Sequence, residues 1–301
     1  MENKNSHIII LCPACEWISD DEIHWTCSCG HRWNTFDTKA KCPNCGIQWE
    51  NTRCPACGES TPHKDWYKTI GEIELLNKPE NDALRARKKN LEIRLINYGI
   101  KNYRVSHLPY LIYENEKFRS TYEAGCRMII LYAIAYVVHS LEERPGIVNW
   151  LKEEKIWDKV SPQERDFFSN EMPDERTLMN LSWRIESALT LGWCLGKVKN
   201  LSPLDTDNNE KELEEFQLNV PELGKPLKLF LTTLQYRDLK DVYEENLLNE
   251  IATSYFRDLL FNEKKDETKI NRFISFERHL VLNWLRTFMG NKEWDETDTS
   301  T

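Results

Sequence analysis

Eight of the ten cysteines in this 301-residue chain fall between positions 12 and 57, and they come in pairs. Cys12 and Cys15 stand in CPAC, Cys27 and Cys29 in CSC, Cys42 and Cys45 in CPNC, and Cys54 and Cys57 in CPAC. Two thiolates a short step apart, followed by glycine, let one tight turn aim both sulfurs and several backbone amides at the same ion. That is the ligand chemistry of tetrahedral zinc. Cys45-Gly46 and Cys57-Gly58 have this form, and Cys29-Gly30 is a shortened version. Eight sulfurs at four per ion suit two structural zinc ions. The expected assignment is sequential, Cys12, Cys15, Cys27 and Cys29 on one ion and Cys42, Cys45, Cys54 and Cys57 on the other, although interleaved pairs fit the same spacing. His31 could replace one sulfur of the CSC pair, and His63 could cap the second site. With four sulfurs already available to each ion, a surface or supporting role is expected for both.

This ligand count excludes some functions. A catalytic zinc keeps one coordination position open beside a general base, and eight sulfurs on two ions leave none. Nucleic-acid binding needs Lys and Arg, whereas residues 1–66 carry six of these against nine Asp and Glu. Trp25, Trp33, Phe36 and Trp49 could stack on bases, but between zinc knuckles they are expected to form a small core. The metal then supplies the folding energy, roughly 10 to 16 kcal/mol per structural zinc. The functional use this leaves is contact with a protein partner.

The whole chain points the same way. A net charge of −9 argues against a protein that coats nucleic acid or an anionic membrane. The longest apolar run, Met128 to Val138, has 11 residues, about 16 Å of helix and half of a bilayer core. The stretch His7–Leu11 is too short for the apolar region of a signal peptide. A soluble cytoplasmic protein is expected, in a reducing medium that keeps thiolates on metal rather than in disulfides.

The elements that must position this chemistry divide the chain into a Cys-rich double zinc-ribbon module over 1–66, a linker over 67–83, a helical domain over 84–290 and a disordered tail over 291–301. The fold class is mainly α, a multi-helix globular domain behind a small β-rich zinc-ribbon module. Leu84–Tyr98 reads as a helix stopped by Gly99, with a basic face of Arg85, Arg87, Lys88, Lys89 and Arg94. The alternative function this face offers is nucleic-acid binding, through the ribbon and the basic helix Arg85–Arg94. Ser120 and Glu123 form a capping box before a helix apolar on every side, and Ser161-Pro162 starts another. Cys126 and Cys194 read as small buried hydrophobes. Leu227–Leu234 has no period that decides between strand and helix.

Arg184 and Glu186 interrupt the apolar segment 178–196. Two residues apart on a helix they point about 200° away from each other, so each needs a separate partner if buried. The candidates lie on an amphipathic helix over Ile270–Gly290, which carries Glu277, Arg278 and His279 beside Phe273, Phe276, Leu280, Trp284 and Phe288 as inward residues. A structural ion-pair network is expected. The alternative is an enzyme with a polar pocket around Arg184, Glu186 and His279, walled by Trp183, Trp193 and Trp284. No phosphate-cradling glycine loop, Ser-His-Asp order or HExxH pattern is present.

The segments Asn180–Leu189 (NLSWRIESAL), Gly192–Gly196 (GWCLG) and Phe276–Leu285 (FERHLVLNWL), with the stretch from Asn102 to Ser120, are similar to the chiefly bacterial family known as domain of unknown function 4272. The resemblance covers about residues 84–290. It implies a helical domain and no established activity. The head departs from the bare domain, although Trp33–Thr38 and Ser60–Tyr67 resemble zinc-ribbon segments of uncharacterised bacterial proteins.

Overall fold

The computed structural model describes residues 8–15, 17–20, 22–69, 82–100, 117–206, 209–287, 290 and 293–299. The chain divides into two compact units, residues 1–92 with 101–111, and residues 93–100 with 112–301.

The first unit is a set of miniature hairpins, each carrying a cysteine pair at its tip. Strand β1 (Ile8–Ile10) runs into the first pair, and a bridge between Leu11 and Ile18 closes that turn. Strands β2 (Trp25–Thr26) and β3 (Arg32–Trp33) flank the second pair, and a bridge between Lys41 and Gln48 flanks the third. Strands β4 (Asn51–Arg53) and β5 (Ser60–Pro62) flank the fourth. Strand β6 (Tyr67–Thr69) then pairs antiparallel with β1, Ile8 opposite Thr69 and Ile10 opposite Tyr67. Residues 67–69, expected in the linker, therefore belong to the module.

So few backbone pairs cannot hold a sheet by themselves. What fills the gap is aromatic. Trp66 is fully buried against Cys12, Phe36 and Cys54, with Trp17, Trp25 and Tyr67 around it. Phe36 meets Trp25 and Trp66 at 5.1 Å each. Trp33 packs with Cys27 and Cys42, while Trp49 stays exposed.

Helix α1 (Asp82–Asn97) begins near the expected point and ends before Gly99, whose φ of 95° is the left-handed stop that glycine adopts without strain. The division between the units falls inside this helix, after Glu92, and not in the linker. Pro79, whose setting in the sequence reads as a hinge before this helix, and Asn102–Tyr110, whose sequence reads as an extended connection, lie outside the described residues.

The second unit contains α2 (Thr121–His139), α3 (Arg144–Glu153), α4 (Pro162–Ser169), α5 (Glu175–Ser182), α6 (Arg184–Cys194), α7 (Glu210–Asn219), α8 (Lys228–Thr232), α9 (Leu239–Phe261) and α10 (Arg272–Leu285). Helix α2 opens on the Ser120–Glu123 capping box: the Ser120 hydroxyl accepts from the Glu123 amide, and the Glu123 carboxylate accepts from the Ser120 amide at 3.0 Å. Ser161 and Glu164 repeat the device at α4. By length and composition α2 is apolar enough to cross a membrane, but 67% of that apolar stretch is buried inside the unit. It is the central helix, packed on α6, and α10 packs in turn on α6 and α9. Gly192 lets α6 approach α7, since a β-carbon there would lie 2.8 Å from the Phe216 ring. The ambiguous segment 227–234 resolves as the short helix α8.

Two expectations are corrected. The tail over 291–301, expected to be disordered because it is polar, buries Trp294 against Trp284, with the two rings 6.0 Å apart. The Arg127 guanidinium lies over Trp294 at 4.8 Å. On α10, Phe273 and Phe276 do not point inward but are exposed by 44% and 39%. Leu280 and Trp284 are buried as expected, and the buried residues also include Glu277, Arg278, His279 and Asn283, an arrangement that partners make affordable and that a polarity count cannot see. Phe288 lies outside the described residues.

Candidate metal centres and a cavity in the helical unit

The cysteine side chains gather into two groups of four, in which all sulfurs lie within 4.8 Å of one another. One holds Cys12, Cys15, Cys54 and Cys57, and the other holds Cys27, Cys29, Cys42 and Cys45. The sequential assignment is thus overturned: the pairs are nested, the first with the fourth and the second with the third. The cause is the β1–β6 ladder, which draws the two ends of the module together and leaves the middle pairs to each other.

The edges of these groups are short. Cys12 Sγ to Cys57 Sγ is 3.9 Å and Cys15 Sγ to Cys54 Sγ is 3.7 Å; Cys27 to Cys45 is 3.5 Å and Cys29 to Cys42 is 3.7 Å. Bonds of about 2.3 Å from a central ion to four tetrahedral sulfurs place those sulfurs roughly 3.8 Å apart. Each group therefore has the dimensions of a cage for a single ion. The donors are aimed by the turns: the Gly46 amide donates to the Cys42 carbonyl and the Gly58 amide to the Cys54 carbonyl, both at 2.9 Å and both with φ of 76°. In every pair one sulfur belongs to a buried residue and one to an exposed residue.

The thiols are tuned unequally: hydrogen bonds favour the thiolate at some of them, while desolvation and the neighbouring sulfurs push Cys45 up to about 12. The backbone amide of Cys29 brings the Cys27 thiol down to about 6, and the Asn44 side-chain amide, 3.6 Å away, lowers Cys29. Burial pushes Cys12 up. Neither histidine is drawn into the groups. His63 is buried, its Nδ1 2.7 Å from the Thr52 hydroxyl and its Nε2 2.7 Å from the Tyr67 hydroxyl, and it stacks on Phe36. Desolvation holds it down to about 4. His31 stacks on Trp33, and its carbonyl accepts from the Cys27 amide.

In the second unit the two interrupting charges find the partners foreseen on α10. Arg184 Nη1 donates to Glu277 Oε1 at 2.6 Å, and Arg278 Nε donates to Glu186 Oε1 at 2.7 Å. The Ser187 hydroxyl takes the other Glu277 oxygen at 2.6 Å. Glu245 on α9 extends the chain of charges to Arg94 at 2.6 Å, so one residue of the basic face is committed inside its own unit. The side chains of Arg85 and Lys88 lie outside the described residues. Cys126 and Cys194 are fully buried, and burial raises Cys126 to about 11 and Cys194 further.

A cavity of about 440 Å³ opens beside this network, lined by the end of α5, the start of α6, α9 and the first turns of α10. Arg184 and Glu277 reach it, with Trp183, Phe273 and Phe276 as walls. Glu186 and His279 do not. His279 is fully buried, with Nε2 2.9 Å from the Asn283 amide nitrogen. Nor do Trp193 and Trp284 wall it: Trp193 lies under the Arg237 guanidinium at 4.0 Å, and Trp284 under that of Arg119 at 4.4 Å. The pocket imagined around Arg184, Glu186 and His279 therefore separates into an open part and a closed one. Sequence reading missed Arg272 and Thr253 at this cavity because they carry no spacing signal.

A family model described as Domain of unknown function (DUF4272) matches residues 87–297, reaching past the expected end at 290 to include Trp294. Comparison with curated proteins and with solved structures gives no match.

Proposed function

The chain belongs to the DUF4272 family through residues 87–297, a domain without an assigned activity, and from that premise we propose that its readable chemistry lies in the head: two structural zinc ions rigidify a module that binds a protein partner. The observation that carries this is the pair of four-sulfur cages, with edges of 3.5 to 3.9 Å. Four thiolates saturate a tetrahedral ion and leave no position for water or substrate. Metal in this role replaces a hydrophobic core that a module of this size lacks. Ile18, Ile23, Ile47 and Trp49 remain exposed on the head, apolar side chains suited to the buried centre of a partner contact. A reducing compartment such as the cytoplasm keeps all eight thiols available.

The test is metal analysis of the full chain purified without chelator, which should return two zinc ions per chain. A tetrahedral four-sulfur site also suits iron, so a coloured, iron-loaded sample would overturn the zinc assignment. For the interaction role, Ile23→Asp, at an exposed position, should abolish a pull-down contact made by the native head while leaving the zinc content at two.

A further inference from the structure

The cavity of the helical unit is lined by two arginines, Arg184 and Arg272, and by Glu277. The geometry points to a binding site for a small organic anion with a flat apolar body, the class of aromatic carboxylates. Trp183 and Phe273 stack at 5.1 Å with an interplanar angle of 18° and form one apolar wall; Phe276 adds a second exposed ring. Rings in this arrangement offer faces and edges to another ring.

The charge balance selects the sign of the ligand. Among the described residues Glu277 is the one carboxylate lining the cavity, and both its oxygens are taken, one by Arg184 and one by the Ser187 hydroxyl. Arg184 uses Nη1 for that bond, and among the described residues its Nε and Nη2 have no hydrogen-bond partner, while its side chain is 21% exposed. Arg272 has no carboxylate partner among the described residues and lies over the Phe273 ring at 5.0 Å. It also occupies the first position of α10, a helix of 14 residues with no acidic residue in its first turn. The positive end of a helix dipole is where an anion is stabilised and a cation is disfavoured. With Glu277 paired to Arg184, the guanidinium of Arg272 and the helix end leave one net positive charge facing apolar walls. A guanidinium pairs with a carboxylate through two parallel bonds, and a cavity of this size falls in the range that takes small ligands.

The experiment uses the full chain and three probes of one shape: 2-naphthoate, 2-naphthamide and 2-naphthylmethylamine, followed by tryptophan fluorescence and calorimetry. Naphthoate should bind at least tenfold more tightly than the amide, with the amine weakest. Arg272→Gln, at an exposed position, should erase the preference for the acid while leaving amide binding in place. Phe276→Asp should abolish naphthoate binding, and unchanged melting of both variants separates this from unfolding. Equal affinity for acid and amide, a preference for the amine, no binding of any probe, or naphthoate binding retained in Phe276→Asp would each overturn the assignment.

Discussion

The buried charges of the helical unit show what one residue can be asked to carry. Arg278 is buried and serves Glu186 at 2.7 Å and Glu245 at 3.7 Å. Removing one member of a buried pair strands the other, at a cost of about 3 to 5 kcal/mol. Arg278→Met should therefore lower the unfolding free energy of the unit by that amount in chemical denaturation, and adding Glu186→Gln should recover part of it. His279 makes a second prediction at this scale. Desolvation first, then the nearby Arg257 and Arg286, hold its pKa down to about 3. It is neutral when folded and takes a proton when unfolded below about 6.5. Stability is then lost as pH falls from about 6.5 toward 3, by at most about 1.4 kcal/mol per pH unit from this group. Glu245, whose carboxyl is held low by Arg94 and Arg278 despite its burial, adds loss in the same direction below its ordinary range. Denaturation curves between pH 7 and 4.5 should show the decline, and His279→Gln should flatten it.

At the scale of the element, α6 depends on a glycine for its approach to α7. Alanine is favoured over glycine inside a helix by about 1 kcal/mol. The added carbon at position 192, however, would sit 2.8 Å from Phe216 Cδ2 and 3.3 Å from Val198 Cγ2, against a ring that is fully buried. Overpacking of this kind costs about 1 to 3 kcal/mol, so Gly192→Ala should destabilise on balance, measured by thermal unfolding. The elements were unequally readable. The capping box at Ser120 and the proline start at Ser161-Pro162 announced α2 and α4, because both signals are local. The opposite angles of Arg184 and Glu186 on one helix forced separate partners, and α10 supplied both. By contrast, the inward face of α10 was read only in part: Leu280 and Trp284 are buried as expected, but the rings of Phe273 and Phe276 are left for the cavity, and polar residues go inside wherever a partner waits on α6 or α9. Trp294 was hidden for the same reason, since a lone tryptophan in a polar tail has no period to reveal its packing against Trp284.

For the whole molecule, the head and the helical unit rest on different physics. The head has few strand pairs, one aromatic cluster around Trp66 and two four-sulfur groups that could hold metal, the arrangement in which an ion supplies folding energy; the helical unit has a continuous apolar core around α2. Strong chelation should therefore abolish the near-ultraviolet signal of the head's tryptophans while most of the far-ultraviolet helical signal persists; loss of both together would contradict this separation. Spacing along the chain revealed that thiolates come in pairs but not which pairs meet, because each knuckle is a local turn and its partner is chosen by the β1–β6 ladder. Nesting is therefore the central claim, and it is testable by counting ions in Cys12→Ser/Cys57→Ser. With the first and fourth pairs sharing one cage, this double variant should keep one zinc per chain, held by Cys27, Cys29, Cys42 and Cys45. A variant that keeps none, as it would if the two cysteines served different ions, would contradict the account.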